Sequence, residues 1–211
     1  MNKHLSFKIQ ISIFMIWLFA ISGIIGVSSS AQDWFLSLTP LNLLLSLAIV
    51  LWHIKGYSYK VIIGLAIPCF LGFIVEALGV NFGLIFGTYA YGENLGYKVF
   101  GVPLMICVNW TLLTATTADV SKYISKNSVI SALIGAALMT GIDFILEVSA
   151  PQFDFWEFKD GIVPFQNYVG WFVTAFIAHL GYQSFHIKTS KRISWHVLVS
   201  IILFFTVFLF I

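Results

Sequence analysis

Asp143 and Glu147 stand four residues apart in an otherwise apolar run, and Glu76 sits near the end of another. At that spacing Asp143 and Glu147 share one face of a helix. Ionisable side chains inside apolar segments are costly to keep there and mark functional positions. A carboxylic acid shielded from water and crowded by like charge keeps its proton to higher pH. That equips it as a general acid near neutrality. The same group would also serve as a relay for protons crossing a membrane. Chemistry of this kind depends on what surrounds the acids, and so on the elements that carry them.

Those elements are membrane spans. Hydrophobic residues make up 59% of the 211 and charged residues only 9%, against about 25% charged in soluble domains. A bilayer core needs roughly 20 apolar residues per helix. Candidate spans run Phe7–Val27, Thr39–His53, Tyr59–Leu78, Val102–Tyr123, Ser128–Val148, Tyr168–His186 and Ile193–Ile211. The expected fold is an all-α integral membrane protein, a polytopic bundle of about seven transmembrane helices forming a single transmembrane domain over residues 1–211. The short second span leaves six as the fallback. Continuous apolar runs without period-two alternation exclude a β-barrel. The first run exceeds the hydrophobic length of a signal peptide and reads as a span.

Basic residues set the orientation. Lys3, Lys8, Lys55, Lys60, Lys122, Lys126, Lys188, Lys191 and Arg192 fall on one side. Lys98 and Lys159 fall on the other, outnumbered by Asp33, Glu93, Asp154, Glu157 and Asp160. The positive-inside rule puts the N-terminus in the cytoplasm and the C-terminus outside. The expected location is a bacterial or archaeal cytoplasmic membrane, crossed several times. The scattered basic residues do not suit nucleic-acid binding, and the oligomeric state is open.

With this orientation, Glu76, Asp143 and Glu147 converge at the outer side. Two long outer loops, Gly79–Gly101 and Ser149–Asn167, crown them with Gly and aromatic residues; loops of that length tend to be functional. Thr140, Ala136 and Ala132 continue the Asp143 face, and small residues there favour close helix packing. Asn109, Trp110, Asn167 and Trp171 enter from the outer side on the fourth and sixth spans. A short echo joins the two halves: Gly101-Val102-Pro103 precedes Asn109-Trp110, and Gly161-Ile162-Val163-Pro164 precedes Asn167 and Trp171.

The remaining polar residues read as structural. His179, with Gln183 one turn on, bonds a neighbouring helix, and Asp119 beside Lys122 ends its span. Cys69 and Cys107 are small packers. No His pair has metal-ligand spacing, so no metal is expected, and no cofactor motif is present. The last span has no Lys for a retinal Schiff base.

Protonating an alkene creates a carbocation, which aromatic faces stabilise. A second carboxylate or an Asn can hold the water that captures it. The group thus suits acid-initiated chemistry on an apolar isoprenoid dissolved in membrane lipid. A proton-coupled small-molecule transporter uses the same ingredients, although Val61–Leu71 and Val129–Met139 lack any Asp, Glu, His, Lys or Arg for an inward path. A non-catalytic subunit of a pigment pathway is a third reading.

The ordered set Glu76-Ala77-Leu78-Gly79, Phe86-Gly87-Thr88-Tyr89-Ala90-Tyr91, Leu95-Gly96, Gly101-Val102-Pro103, Trp110, Asp143-x-x-x-Glu147, Trp156, Gly161-Ile162-Val163-Pro164, Asn167 and Gly170-Trp171 resembles the CruF-type carotenoid 1',2'-hydratases. That family includes the bisanhydrobacterioruberin hydratases. The family-like core covers residues 76–171. The chain departs from the pattern at Glu147-Val148, where members tend to have Pro after the carboxylate, and at Phe155-Trp156-Glu157-Phe158. The resemblance implies a cofactor-independent hydro-lyase adding water to the terminal double bond of an acyclic carotenoid (lycopene, gamma-carotene or bisanhydrobacterioruberin type). For that reaction the working assignment makes Asp143 the acid, with Glu147 and Glu76 tuning it and holding water, and the sequence leaves the roles of Asp143 and Glu147 interchangeable. Asn167 would assist, with Asn109 at the same level. Tyr89, Tyr91, Trp110 and Trp171 would line the pocket.

Overall fold

The computed structural model describes residues 3–211, with side chains from Phe7 onward. The side chain of Lys3, counted above among the basic residues, lies outside that part. Eight α-helices make up most of the described chain: α1 (Lys3–Val27), α2 (Gln32–Ser37), α3 (Thr39–Trp52), α4 (Tyr59–Phe82), α5 (Met105–Ile124), α6 (Ser128–Ser149), α7 (Phe165–Ser184) and α8 (Lys191–Val207). Each run expected to be helical is helical, with ends shifted by a few residues. The short α2 had no periodic signal and was not expected. Three helices, α1 over Phe7–Val27, α4 and α6, are long and apolar enough to cross a membrane. Their outward faces carry Phe14, Leu18, Ile62, Phe70 and Ile74, all exposed. A helix facing water would place charge there. This is the surface of a membrane protein.

Local chemistry sets the helix ends. The Asn127 side chain caps α6, accepting from the amides of Val129 at 2.9 Å and Ile130 at 3.1 Å. Gly83, at φ 66°, closes α4 in the left-handed conformation favoured there. The two halves of the sequence echo share a backbone turn. Phe100-Gly101 and Asp160-Gly161 are both consecutive positive-φ pairs. In each, a Pro follows, and the next helix begins four residues after the Gly, at Met105 and at Phe165.

Helices α4, α5, α6 and α7 pack in a closed ring, each against the next and α7 back onto α4. Helices α3 and α8 lean on α5, and α1 packs against α8. One apolar core fills the end of the ring under the loops, around Trp110, Met139 and Phe153. A second lies toward the other end, around Val50, Leu112 and Tyr182.

The all-α expectation needs one correction. The two long loops contain four short strands: β1 (Tyr89–Tyr91), β2 (Lys98–Val99), β3 (Val102–Pro103) and β4 (Trp156–Phe158). β1 pairs antiparallel with β4, setting Tyr89 opposite Phe158 and Tyr91 opposite Trp156. β2 pairs with β3. Further bonds extend the β1–β4 seam: Gly92 N donates to Phe155 O at 2.9 Å, Lys159 N to Thr88 O at 2.9 Å and Asn94 Nδ2 to Phe153 O at 2.9 Å. The loops are thereby one structure. Strands of two or three residues leave no alternation to read, and their pairing is between distant parts of the chain.

Candidate functional site

Glu76, Asp143 and Glu147 lie together beneath the paired loops, all buried. Glu76 owes its setting to the glycines on its own face, Gly72 one turn before and Gly79 one turn after. A Cβ on Gly72 would collide with the Trp110 ring, and one on Gly79 would sit 2.7 Å from the Tyr89 hydroxyl. Without side chains there, Trp110 and Tyr89 reach the carboxylate between them. Trp110 Nε1 donates to Glu76 Oε1 at 3.1 Å. The hydroxyls of Tyr89 and Tyr91 both donate to Oε2, the latter at 2.7 Å. Burial, then the neighbouring Glu76 carboxylate, pushes both tyrosine hydroxyls above the ordinary range. They remain neutral donors throughout physiological pH.

Helix α6 supplies the other two acids from one face, as the i,i+4 spacing requires. Asn167, at the start of α7, bridges them: its Nδ2 donates to Asp143 Oδ2 at 3.0 Å and to Glu147 Oε1 at 3.0 Å. Trp156 of β4 donates from Nε1 to Glu147 Oε2 at 2.9 Å. Asp143 Oδ1 is buried and has no hydrogen-bond partner among the described residues. Five of the six carboxyl oxygens thus accept hydrogen bonds and one does not.

Aromatic rings close the rest of the wall. Trp110 and Trp171 stack at 4.4 Å between centroids and 10° between planes. Phe86 meets Trp171 at 6.2 Å, Tyr89 meets Phe158 at 5.1 Å, and Tyr91 meets Trp156 at 6.2 Å. The stacked pair comes from matching positions after the two Gly-Pro turns, at the mouths of α5 and α7. The enclosed space is about 20 Å³, room for a water molecule among polar groups. Three carboxyl groups, amide, indole and phenol donors and aromatic faces therefore meet at one point.

All nine residues singled out in the sequence fall at this pocket. Glu76, Tyr89, Tyr91, Asn109, Asp143, Asn167 and Trp171 line it, Glu147 does so too, and Trp110 holds Glu76 from behind. Asn109 lines the space without bonding a carboxylate; that work falls to Asn167. Trp156 bonds Glu147 directly and was not singled out as a site residue, although it stands in the motif set. Phe86, Ile106 and Phe158 complete the lining. Phe86 and Phe158 stand in segments quoted above without being singled out as site residues, and Ile106 carries no signal beyond that of an apolar residue near a motif.

The polar residues read as structural behave so. His179 Nε2 meets Thr117 Oγ1 at 3.0 Å and its Nδ1 meets Gln183 at 3.3 Å, tying α7 to α5.

The family model described as Carotenoid biosynthesis protein matches residues 38–211. No curated protein and no solved structure matches the chain.

Proposed function

The chain belongs to the carotenoid biosynthesis protein family, and from that premise we propose that it hydrates the terminal 1',2' double bond of an acyclic carotenoid end group. Lycopene, gamma-carotene and bisanhydrobacterioruberin carry ends of this type. The reading includes about seven spans in a cell membrane, N-terminus cytoplasmic and C-terminus outside, with the pocket near the outer face.

The observation that carries the reading is the free Oδ1 of Asp143. The other carboxyl oxygens of the pocket already accept from N–H or O–H donors, which suits oxygens without a proton. Oδ1 is the one positioned to carry the acidic proton and give it away. It protonates the less substituted alkene carbon, and the positive charge develops on the tertiary carbon. The faces of Trp171, Tyr89 and Phe86 stabilise that cation. Water held by Glu147 and Asn167 adds its oxygen to the cation and loses a proton to a carboxylate. Alkene plus water becomes a tertiary alcohol, and the acid is restored. Glu76 is fixed by three donors, and in its ionised form it would add negative charge that favours the cation.

The test is expression in a host that makes lycopene or gamma-carotene, followed by mass analysis of the pigments. A product heavier by one water is expected. Its absence with well-expressed protein overturns hydration of those substrates. The same assay separates the enzyme from a non-catalytic pathway subunit, which would tolerate loss of all three acids.

A further inference from the structure

The carboxylate pocket encloses about 20 Å³, far too little for a carotenoid. Beside it lies an apolar cavity of about 120 Å³. Ile106 and Asn109 of α5 and Trp156 of β4 line both spaces. Helix α6 is a further shared wall. Asp143 and Glu147 turn to the polar side, while Ile142 and Leu146, one residue earlier in each case, turn to the apolar side. A third space, also about 120 Å³, lies among α1, α2 and α3 and shares Thr39, Asn42 and Phe204 with the apolar cavity. Its rim includes Leu41, which is exposed on the outer surface of α3.

From this sequence of shared walls we infer that the three spaces form one lateral channel. An acyclic isoprenoid enters from the bilayer between α1 and α3, lays its polyene chain in the apolar cavity, and presents its terminal double bond to Asp143 past Asn109. The inference rests on the hydration reading for what happens at the inner end. Its own support is chemical. Among the described residues no charged side chain lines either apolar space, so neither offers a partner to an ionic ligand, whereas a hydrocarbon chain arriving from lipid exchanges one apolar surrounding for another and leaves no polar group unpaired. Asn109 suits the neck. It is half-buried and bonded to none of the carboxylates, so a chain can pass it without breaking the network that holds the acids.

The test uses the full chain purified from a lycopene-producing host and reads pigment retained per protein by its visible absorbance. Ala20 on α1 and Ser46 on α3 line only the apolar cavity, away from the acids. Ala20→Phe and Ser46→Phe are expected to lower retained lycopene about tenfold or more, close to 1.4 kcal/mol of binding. Asp143→Asn should retain pigment as the wild type does while making no hydrated product. To separate blockage from misfolding, Ala20→Cys is purified, alkylated with a bulky maleimide, and then offered lycopene. The wild type with its Cys69 and Cys107 is treated alike as control. Loss of binding confined to the alkylated variant supports the channel. Retention by the blocked variants, or no retention by the wild type, overturns it. A wild type that binds lycopene but never hydrates it overturns the hydration reading and leaves the channel standing.

Discussion

Helix α5 carries a buried polar contact near each end, and the two ends are built to different purposes. Near its start Trp110 reaches Glu76 in a pocket of three acids. Some 13 Å along, at 1.5 Å per residue, Asp119 accepts from the hydroxyls of Ser194, at 2.6 Å, and Thr189. Asp119 has no second acid beside it among the described residues, and its partners are Thr189 of the segment joining α7 to α8 and Ser194 in the first turn of α8. It staples two parts of the fold. The pocket acids are held by aromatic N–H and O–H groups and a bridging amide, around a space that admits water, with one oxygen unengaged. Burial alone does not distinguish a working carboxylate from a tie; the company and the vacancy beside it do.

Substitutions can break this contrast. The largest effect is expected for Asp143→Asn, which keeps the shape and the Asn167 contact but removes the proton donor. Loss of general acid catalysis costs about 10²–10⁴ in rate, read as hydrated pigment per unit protein. Full activity in this variant would remove Asp143 from the acid's role. Asn167→Ala comes next. It strips one donor from two buried carboxyls, and an unsatisfied buried group costs about 1–3 kcal/mol. The same assay should fall on the order of tenfold, about 1.4 kcal/mol. In Gly72→Ala the new methyl drives into the Trp110 ring, and overpacking of this kind costs about 1–3 kcal/mol. A lowered thermal midpoint in detergent should accompany a weaker Glu76 contact. Asp119→Asn is the smallest and the sharpest. It is expected to lose about 1 kcal/mol of stability while hydration stays within about twofold of wild type. If it instead silences hydration as Asp143→Asn does, the two ends of α5 are coupled and the contrast fails.

Much of the site is readable from the chain because acids in apolar runs are few. Glu76, Asp143 and Glu147 stand out by cost alone, and helical periodicity plus the basic loops brings them to one level. The helices are equally legible, since long apolar runs have few alternatives. The division of labour between the two Asn residues is not. Asn109 comes six residues after its Pro and Asn167 three after its own, and that difference in register, together with how α5 and α7 are placed against α6, decides which one faces the α6 carboxyls. Trp156 is hidden for another reason. Its contact with Glu147 depends on β4 meeting β1, and a three-residue strand has no pattern that names its partner. The glycines at 72 and 79 carry meaning only once Trp110 and Tyr89 are known to lie against them.

The β1–β4 pairing has a consequence for how the molecule is completed. Tyr89 and Tyr91, the donors to Glu76, are positioned by a strand that is synthesised only after two further helices. A growing chain that has produced α4 and α5 holds Glu76 without the partner strand that orients those hydroxyls, and without either acid of α6. The three-acid pocket is therefore completed late, when Trp156–Phe158 pairs with Tyr89–Tyr91. A chain truncated before Trp156 would still contain every residue of the Glu76 half and yet lack the strand that seats Tyr89 and Tyr91 against it.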